Sequence, residues 1–426
     1  MNILRHAGAV RWLTLVLAAV ASVAVLGASL TWSASQRDLA TPSGTAIDFT
    51  PHGTQPGLVH QLDSQAACSG CHGNWMPGSD PAAFMPYNTW SGSMMAHAAR
   101  DPLFWAALDV ANADIPGVGD YCLRCHTPQG WLEGRISKTT IGTVVDGADG
   151  CLMEGRHDAA YYESPNDYAG VGCHFCHRLT ETGPNGEIAP PGSGNFWLDD
   201  NEQCVNSQGV QEGGPCRYGP YDYAPGDPRD PSNYHNWAYS AFHDRGAICG
   251  VCHDVTTPIT SSGPAKTLIL DDGTDSGIPM PLERTFTEWR HSDFADVIFR
   301  NRMGDDFDFM PQLDRGATCQ DCHMANSPDP LAQACGLTDP GSRAGNLPVH
   351  EFVGANTWVP AIIRDEYGAG IGDTSADALD RTILLARQML TERSAAIETT
   401  AALSAPDQLG VAVKVTNLAG HKLPTG

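Results

Sequence analysis

The sequence predicts a mainly α chain with extensive irregular loops, closed by one longer helix and the start of a β domain. Three observations point there. A five-residue cluster, Cys-X-X-Cys-His, occurs five times with little else shared between the copies. The 426 residues include 45 Gly and 30 Pro, which interrupt regular elements. Past residue 373 the texture changes to a helical period and then to strict alternation.

The cluster reads CSGCH (Cys68, Cys71, His72), CLRCH (Cys122, Cys125, His126), CHFCH (Cys173, Cys176, His177), CGVCH (Cys249, Cys252, His253) and CQDCH (Cys319, Cys322, His323). The chain has 14 Cys and 16 His. Composition alone would give about 0.02 such strings. Cys-X-X-Cys-His is the attachment pattern of c-type haem. Two thiols in one turn can add to the two vinyl groups of one porphyrin, and the next histidine is held beneath the ring as proximal iron ligand. A redox dithiol or half a zinc site would use the cysteine pair but leaves five following histidines unexplained.

We therefore expect five covalently attached haem c groups, with a multihaem cytochrome c architecture organised around stacked haems over residues 36–365. That allows about 66 residues per haem, too few for a conventional core around each. The haems are expected to supply much of the buried apolar surface.

Cys151, Cys204, Cys216 and Cys335 remain. Cys204 and Cys216 bracket a Gly-rich polar loop, CVNSQGVQEGGPC. In an oxidising compartment they are expected to form a disulfide worth about 3 kcal/mol by loop closure. Cys151 and Cys335 either pair or stay as buried thiols, and spacing does not decide between these.

Arg5 and Arg11 precede an apolar run from Trp12 to about Trp32. Residues 1–35 read as an export signal, either cleaved near Ala34 or kept as an N-terminal membrane anchor, because the run approaches bilayer length. The expected location is outside the cytoplasm: periplasmic, anchored in the inner membrane, or at the cell surface. The formal net charge is −24. Phosphate binding needs clustered Lys and Arg, so no nucleic-acid partner is expected. An acidic surface suits steering toward a basic redox partner, and equally plain colloidal solubility.

Residues 36–60 read as a linker or extended arm. In PYNTWSGSMMAHAARDPLFWAALDVAN, Trp90, Met94, Ala98, Trp105 and Leu108 fall near helical spacing, and Pro102 divides the run into two helical pieces. Residues 141–168 and 181–234 read as loops. Asp271, Asp272 and Asp275 lack the full calcium-loop pattern and read as a solvated turn. Residues 373–400 read as one helix, with Thr374 and Asp377 fitting a capping box. Its apolar face is Leu379, Ile383, Ala386, Leu390 and Ile397. Residues 405–426 read as the start of a C-terminal β domain, cut short. There Val411, Val413 and Val415 alternate with Ala412, Lys414 and Thr416 as in a half-buried strand.

The second axial position of each iron decides function. Filled by a side chain, a haem passes electrons; open, it can bind and convert a small molecule. Histidines outside the motifs exceed the need. Their sequence contexts single out His235, His243, His350, His421 and His97 as candidate distal ligands. Met94 or Met95 is an alternative beside His97, although core packing is the commoner role of methionine. His174 sits inside a motif, badly placed for its own iron.

The blocks CLRCHTPQGWLEGR, GCHFCHRL, CGVCHDVTTP, CQDCHM and NLAGHKLPTG resemble those of a family of exported bacterial multihaem cytochromes c, from about residue 68 to the end. The resemblance implies haem-based electron transfer more firmly than any substrate, and a β domain following GHKLPTG. Multihaem enzymes of nitrogen and sulfur metabolism are more distantly similar. Many of those carry a lysine in place of the motif histidine at the active haem, and no Cys-X-X-Cys-Lys occurs here. The expected function is a relay of electrons from a membrane or periplasmic donor protein to a terminal acceptor. The alternative is a reductase or oxidase acting on a small nitrogen or sulfur compound at one five-coordinate haem. For a third reading, polymerisation into a conductive filament, the sequence offers no specific argument.

Overall fold

The computed structural model describes residues 52–73, 83–136, 144–153, 167–190, 192–260, 262–296, 316–336, 342–367 and 376–425. The export segment, the first part of the proposed arm and His157 lie outside the described residues, and so does the side chain of Cys151. All described residues belong to one compact unit, 47–426. No helix among them is long and apolar enough to cross a membrane.

The first helix, α1 (Gln65–His72), carries the first motif. Next come α2 (Pro86–Ser91) and α3 (Pro102–Asp114), the two helical pieces divided at Pro102. Both begin on proline, whose missing N–H has no partner to lose in a first turn. Asp101 caps α3 by accepting from the Leu103 N–H at 2.8 Å. The second motif ends α4 (Gly119–His126), and α5 (Pro128–Leu132) follows directly. The third motif forms α6 (Cys173–Cys176) and the fourth begins in α7 (Ala247–Gly250). Then come α8 (Thr285–Arg290) and α9 (Asp293–Asp296). The fifth motif is α10 (Cys319–His323), where Thr318 and Asp321 cap each other's backbone. Finally, α11 (Val359–Tyr367) packs on α12 (Ala376–Gln388) through Val359, Ile363 and Leu379.

The expected mainly helical architecture organised around stacked haems is not what the chain forms. Among the described residues, helix accounts for 33% and strand for 19%, and only five helices reach seven residues. Among the described residues, fourteen strands pair two by two into seven small sheets. Twelve lie from β1 (Leu179–Thr180) to β12 (Pro281–Glu283), four of them in residues 181–234, the stretch read as a loop. β5 (Tyr218–Gly219) and β6 (Ala238–Tyr239) run parallel; the other pairs are antiparallel. Ladders of two or three residues span little more than one cycle of the two-residue strand alternation, too little to stand out in sequence. The acidic run is the turn joining β10 (Thr267–Ile269) to β11 (Asp275–Pro279). There Asp272 and Asp275 accept from the N–H groups of Thr274 and Gly277.

The C-terminal region also departs from expectation. The helix ends before residue 400: a π turn, Met389–Arg393, follows α12, with the Ser394 hydroxyl donating to the Met389 carbonyl. Ile397 then lies in β13 (Ala395–Ala405), which pairs with β14 (Gln408–Asn417). Val411, Val413 and Val415 are 57–59% exposed, so β14 is not half-buried. Its pairing with β13 satisfies the backbone without covering a face.

The chain does build an apolar core of its own. Trp105 and Leu108 of α3, Trp131 and Leu132 of α5, and Phe196 and Leu198 pack into one cluster. Into it project residues from within the motifs: Leu123, Phe175 and Val251. The variable positions of Cys-X-X-Cys-His thus anchor three motif helices to the core. In the fifth motif Gln320 anchors by hydrogen bonds, donating to the carbonyls of His243 at 3.1 Å and Arg245 at 3.0 Å.

Two fully buried arginines strap residues 52–61 onto this core. Arg124 lies between the Trp131 and Phe196 rings, 4.6 and 3.9 Å from their centroids. Its guanidinium donates to the carbonyls of Gly194, Thr54 and His52. Arg178 donates to the carbonyls of Asp199 and His60 and to the Asp200 carboxylate. The GWLEGR block is a clamp as well, since Arg135 holds Asp167 with two hydrogen bonds, at 3.1 and 2.7 Å. Removing Arg124 strands three carbonyls and two rings. Arg124→Ala should cost about 3 kcal/mol or more and expose residues 52–57 to protease. Arg229→Ala, at an exposed local pair, should leave the melting temperature unchanged. Equal melting temperatures for the two variants would contradict the strap.

Candidate cofactor site

Each motif histidine follows a short turn of helix. One continuous cavity of about 1190 Å³ is lined by both cysteines and the histidine of the first four motifs. The fifth motif reaches the same cavity through Gln320 and the following Met324.

The imidazoles are held in one state. Nδ1 lies 2.6 Å from the Ala334 carbonyl oxygen in His72, 2.6 Å from that of Tyr218 in His177, and 2.6 Å from that of Val353 in His323. In His126 it lies 3.4 Å from the Ala98 carbonyl oxygen. A carbonyl oxygen only accepts, so Nδ1 carries the hydrogen and Nε2 keeps its lone pair. Burial, the largest cause in each case, pushes all five motif histidines below the usual histidine range, His126 to about 4. All five are neutral donors of an electron pair, and His72, His126, His177 and His323 are oriented by a second hydrogen bond, as a metal-binding imidazole requires. Burial also raises the thiols of Cys122, Cys176 and Cys322 to about 12.

Three further histidines face motif histidines across a gap. Ring centroids are 6.4 Å apart for His72 and His235, 6.3 Å for His177 and His350, and 6.4 Å for His323 and His421. An iron between two imidazole nitrogens, with bonds of about 2.0 Å and about 1.15 Å from nitrogen to ring centre, sets the centroids about 6.3 Å apart. The three centroid separations match that value. His235 and His421 repeat the orienting contact, each with Nδ1 at 3.0 Å from a carbonyl oxygen, of Asn236 and Lys422. In His350, Nδ1 is buried without a hydrogen-bond partner.

His421 reaches His323 because the segment after β14 docks on α8. Glu288 accepts from the Lys422 N–H at 3.1 Å and from the Thr425 hydroxyl at 2.7 Å.

The remaining candidates are placed differently. His243 stacks on His177 at 5.8 Å, but its Nε2 is engaged by the Cys176 carbonyl at 3.0 Å. His97 is buried with both nitrogens occupied: Nε2 bonds the Ser91 carbonyl and Nδ1 faces Arg100 at 3.4 Å. Met94 and Met95 line the cavity. In His174, Nδ1 accepts from the Asp63 N–H at 2.7 Å, which puts the hydrogen on Nε2 and leaves no lone pair there. Phe104 stacks on His126 at 3.9 Å, a contact with no signal in sequence. Among the described residues, no histidine ring faces His126 or His253 at an iron-sized separation.

Cys204 and Cys216 form the disulfide, with Cα atoms 4.7 Å apart. Cys335 is a free thiol against Cys71 of the first motif. Among the described residues no group of three His, Cys, Asp or Glu side chains is set to hold a bare metal ion. A porphyrin iron needs no such group, since four of its ligands are the ring's own.

Comparison with known proteins found no matching family model, curated protein or solved structure. The likeness to multihaem cytochromes c thus stands on the residues quoted above.

The geometry separates the histidines into two classes. In the matured protein, His421→Ala or His235→Ala should convert one haem to high spin, read from its visible absorption. His97→Ala and His174→Ala should leave every haem's spin state as it was. The reverse pattern would remove the facing pairs from the ligand set.

Proposed function

We propose that the chain is an exported c-type cytochrome carrying five covalent haems, and that it relays electrons between a donor protein and a terminal acceptor. The observation carrying this reading is the set of three histidine pairs with iron-sized gaps, each pairing a motif histidine with a distant one. When bound, haem supplies reversible one-electron iron chemistry.

The chain's residues do the rest. Cys68, Cys71, Cys122, Cys125, Cys173, Cys176, Cys249, Cys252, Cys319 and Cys322 would anchor the rings. His72, His126, His177, His253 and His323 would hold the irons from one side. His235, His350 and His421 would close three of them from the other. At those three, a side chain on each side of the iron would exclude small ligands and leave electron transfer as the available chemistry. Backbone carbonyls fix the imidazoles of His72, His126, His177, His323, His235 and His421, which would keep reorganisation on a change of charge small there. Arg124 and Arg178 tie the leading arm over the core and keep water from it. The acidic balance of the chain, −24, favours a basic partner at whichever surface exchanges electrons.

The mass of the mature protein tests this directly. It should equal the polypeptide plus five haem groups, whether or not the leader is removed. A mass matching bare polypeptide would overturn the reading.

A further inference from the structure

The ten motif thiols are not evenly spread. Cys68 lies beside Cys173, Cys125 beside Cys252, and Cys249 beside Cys319, each pair close enough for one thiol to act on the other. Cys176 lies close enough to act electrostatically on both Cys249 and Cys252. The histidines agree: His72 neighbours His177, and His253 neighbours both His126 and His323.

Backbone geometry gives the same picture independently. Gly194 separates the second and fourth motifs. Its N–H donates to the Val251 carbonyl at 2.9 Å, and a Cβ on it would lie 3.3 Å from Cys125 Sγ. Its φ of +68° is a left-handed conformation suited to glycine. Gly246, at the start of α7, separates the fourth and fifth motifs; a Cβ there would lie 3.2 Å from Cys319 Sγ. Gln320 closes the same interface by donating to the His243 and Arg245 carbonyls.

From these contacts we infer that the five attachment sites form a branched array, with Cys249, Cys252 and His253 at the junction. One arm runs through the site at Cys173–His177 to the site at Cys68–His72. The sites at Cys122–His126 and Cys319–His323 are the other two arms. The inference rests on the haem reading above. A thioether fixes a porphyrin edge where the thiol stands, so thiols in contact place porphyrin edges in contact. Chain order is not the spatial order: the third and fourth motifs adjoin, as do the fourth and fifth, but among the described residues the first two share no thiol contact. One electron given up by a reduced partner at any arm, and taken by an oxidised partner at another, would pass the junction, with no proton or further reactant consumed.

The iron positions of the mature holoprotein, located by anomalous scattering at the iron edge, test the order. The iron above His253 should have three near neighbours, those of His126, His177 and His323. The iron above His72 should have one, that of His177. Five irons following the chain order, or the His253 iron at an end, would overturn the branch and leave the five-haem reading standing. A crystal without iron would remove both.

Discussion

A carbonyl oxygen accepts a hydrogen bond and cannot give one, and much of the site depends on that asymmetry. Wherever a buried imidazole meets one through Nδ1, its hydrogen is fixed there and its Nε2 lone pair is free. Four motif histidines and two of the facing ones are set in this way. His174 shows the opposite case: its Nδ1 meets a backbone N–H, and the lone pair is spent on it. The same residue type is thus divided by one backbone contact into potential ligands and structural groups.

That contact requires a scaffold able to bring distant carbonyls beneath short helices. The scaffold is not the mainly helical one the composition implies. It is a set of small two-stranded ladders and brief helices around an apolar cluster, into which the variable residues of three motifs project. Leu123, Phe175 and Val251 look interchangeable in sequence, yet each fixes the pitch of a motif helix against the core. Arg124 and Arg178 extend the same logic to the leading arm, replacing a ladder with guanidinium bonds to carbonyls.

The Cys-X-X-Cys-His motifs were legible because they are local: two cysteines and a histidine within five residues state a spacing directly. The facing partners were legible only as a pool. His235, His350 and His421 stood out from His97 and His243 only by lying in turn-rich segments away from the motifs, since their roles depend on which carbonyl or arginine each meets after folding. The orienting carbonyls of Ala334, Ala98, Tyr218 and Val353 carry no signal at all, because every residue has one. The two- and three-residue strands were lost for a related reason, being too short to express a period. At the C-terminal end the alternation of Val411, Val413 and Val415 did mark a strand. Burial did not follow, because alternation reports the pleat and says nothing of what covers it.

The account turns on whether imidazole pairs close at least three irons. Near-infrared magnetic circular dichroism of the oxidised holoprotein reads axial ligand pairs directly. It should report two-imidazole ligation for three or more of the five haems. A spectrum dominated by histidine–methionine or high-spin haem would contradict it.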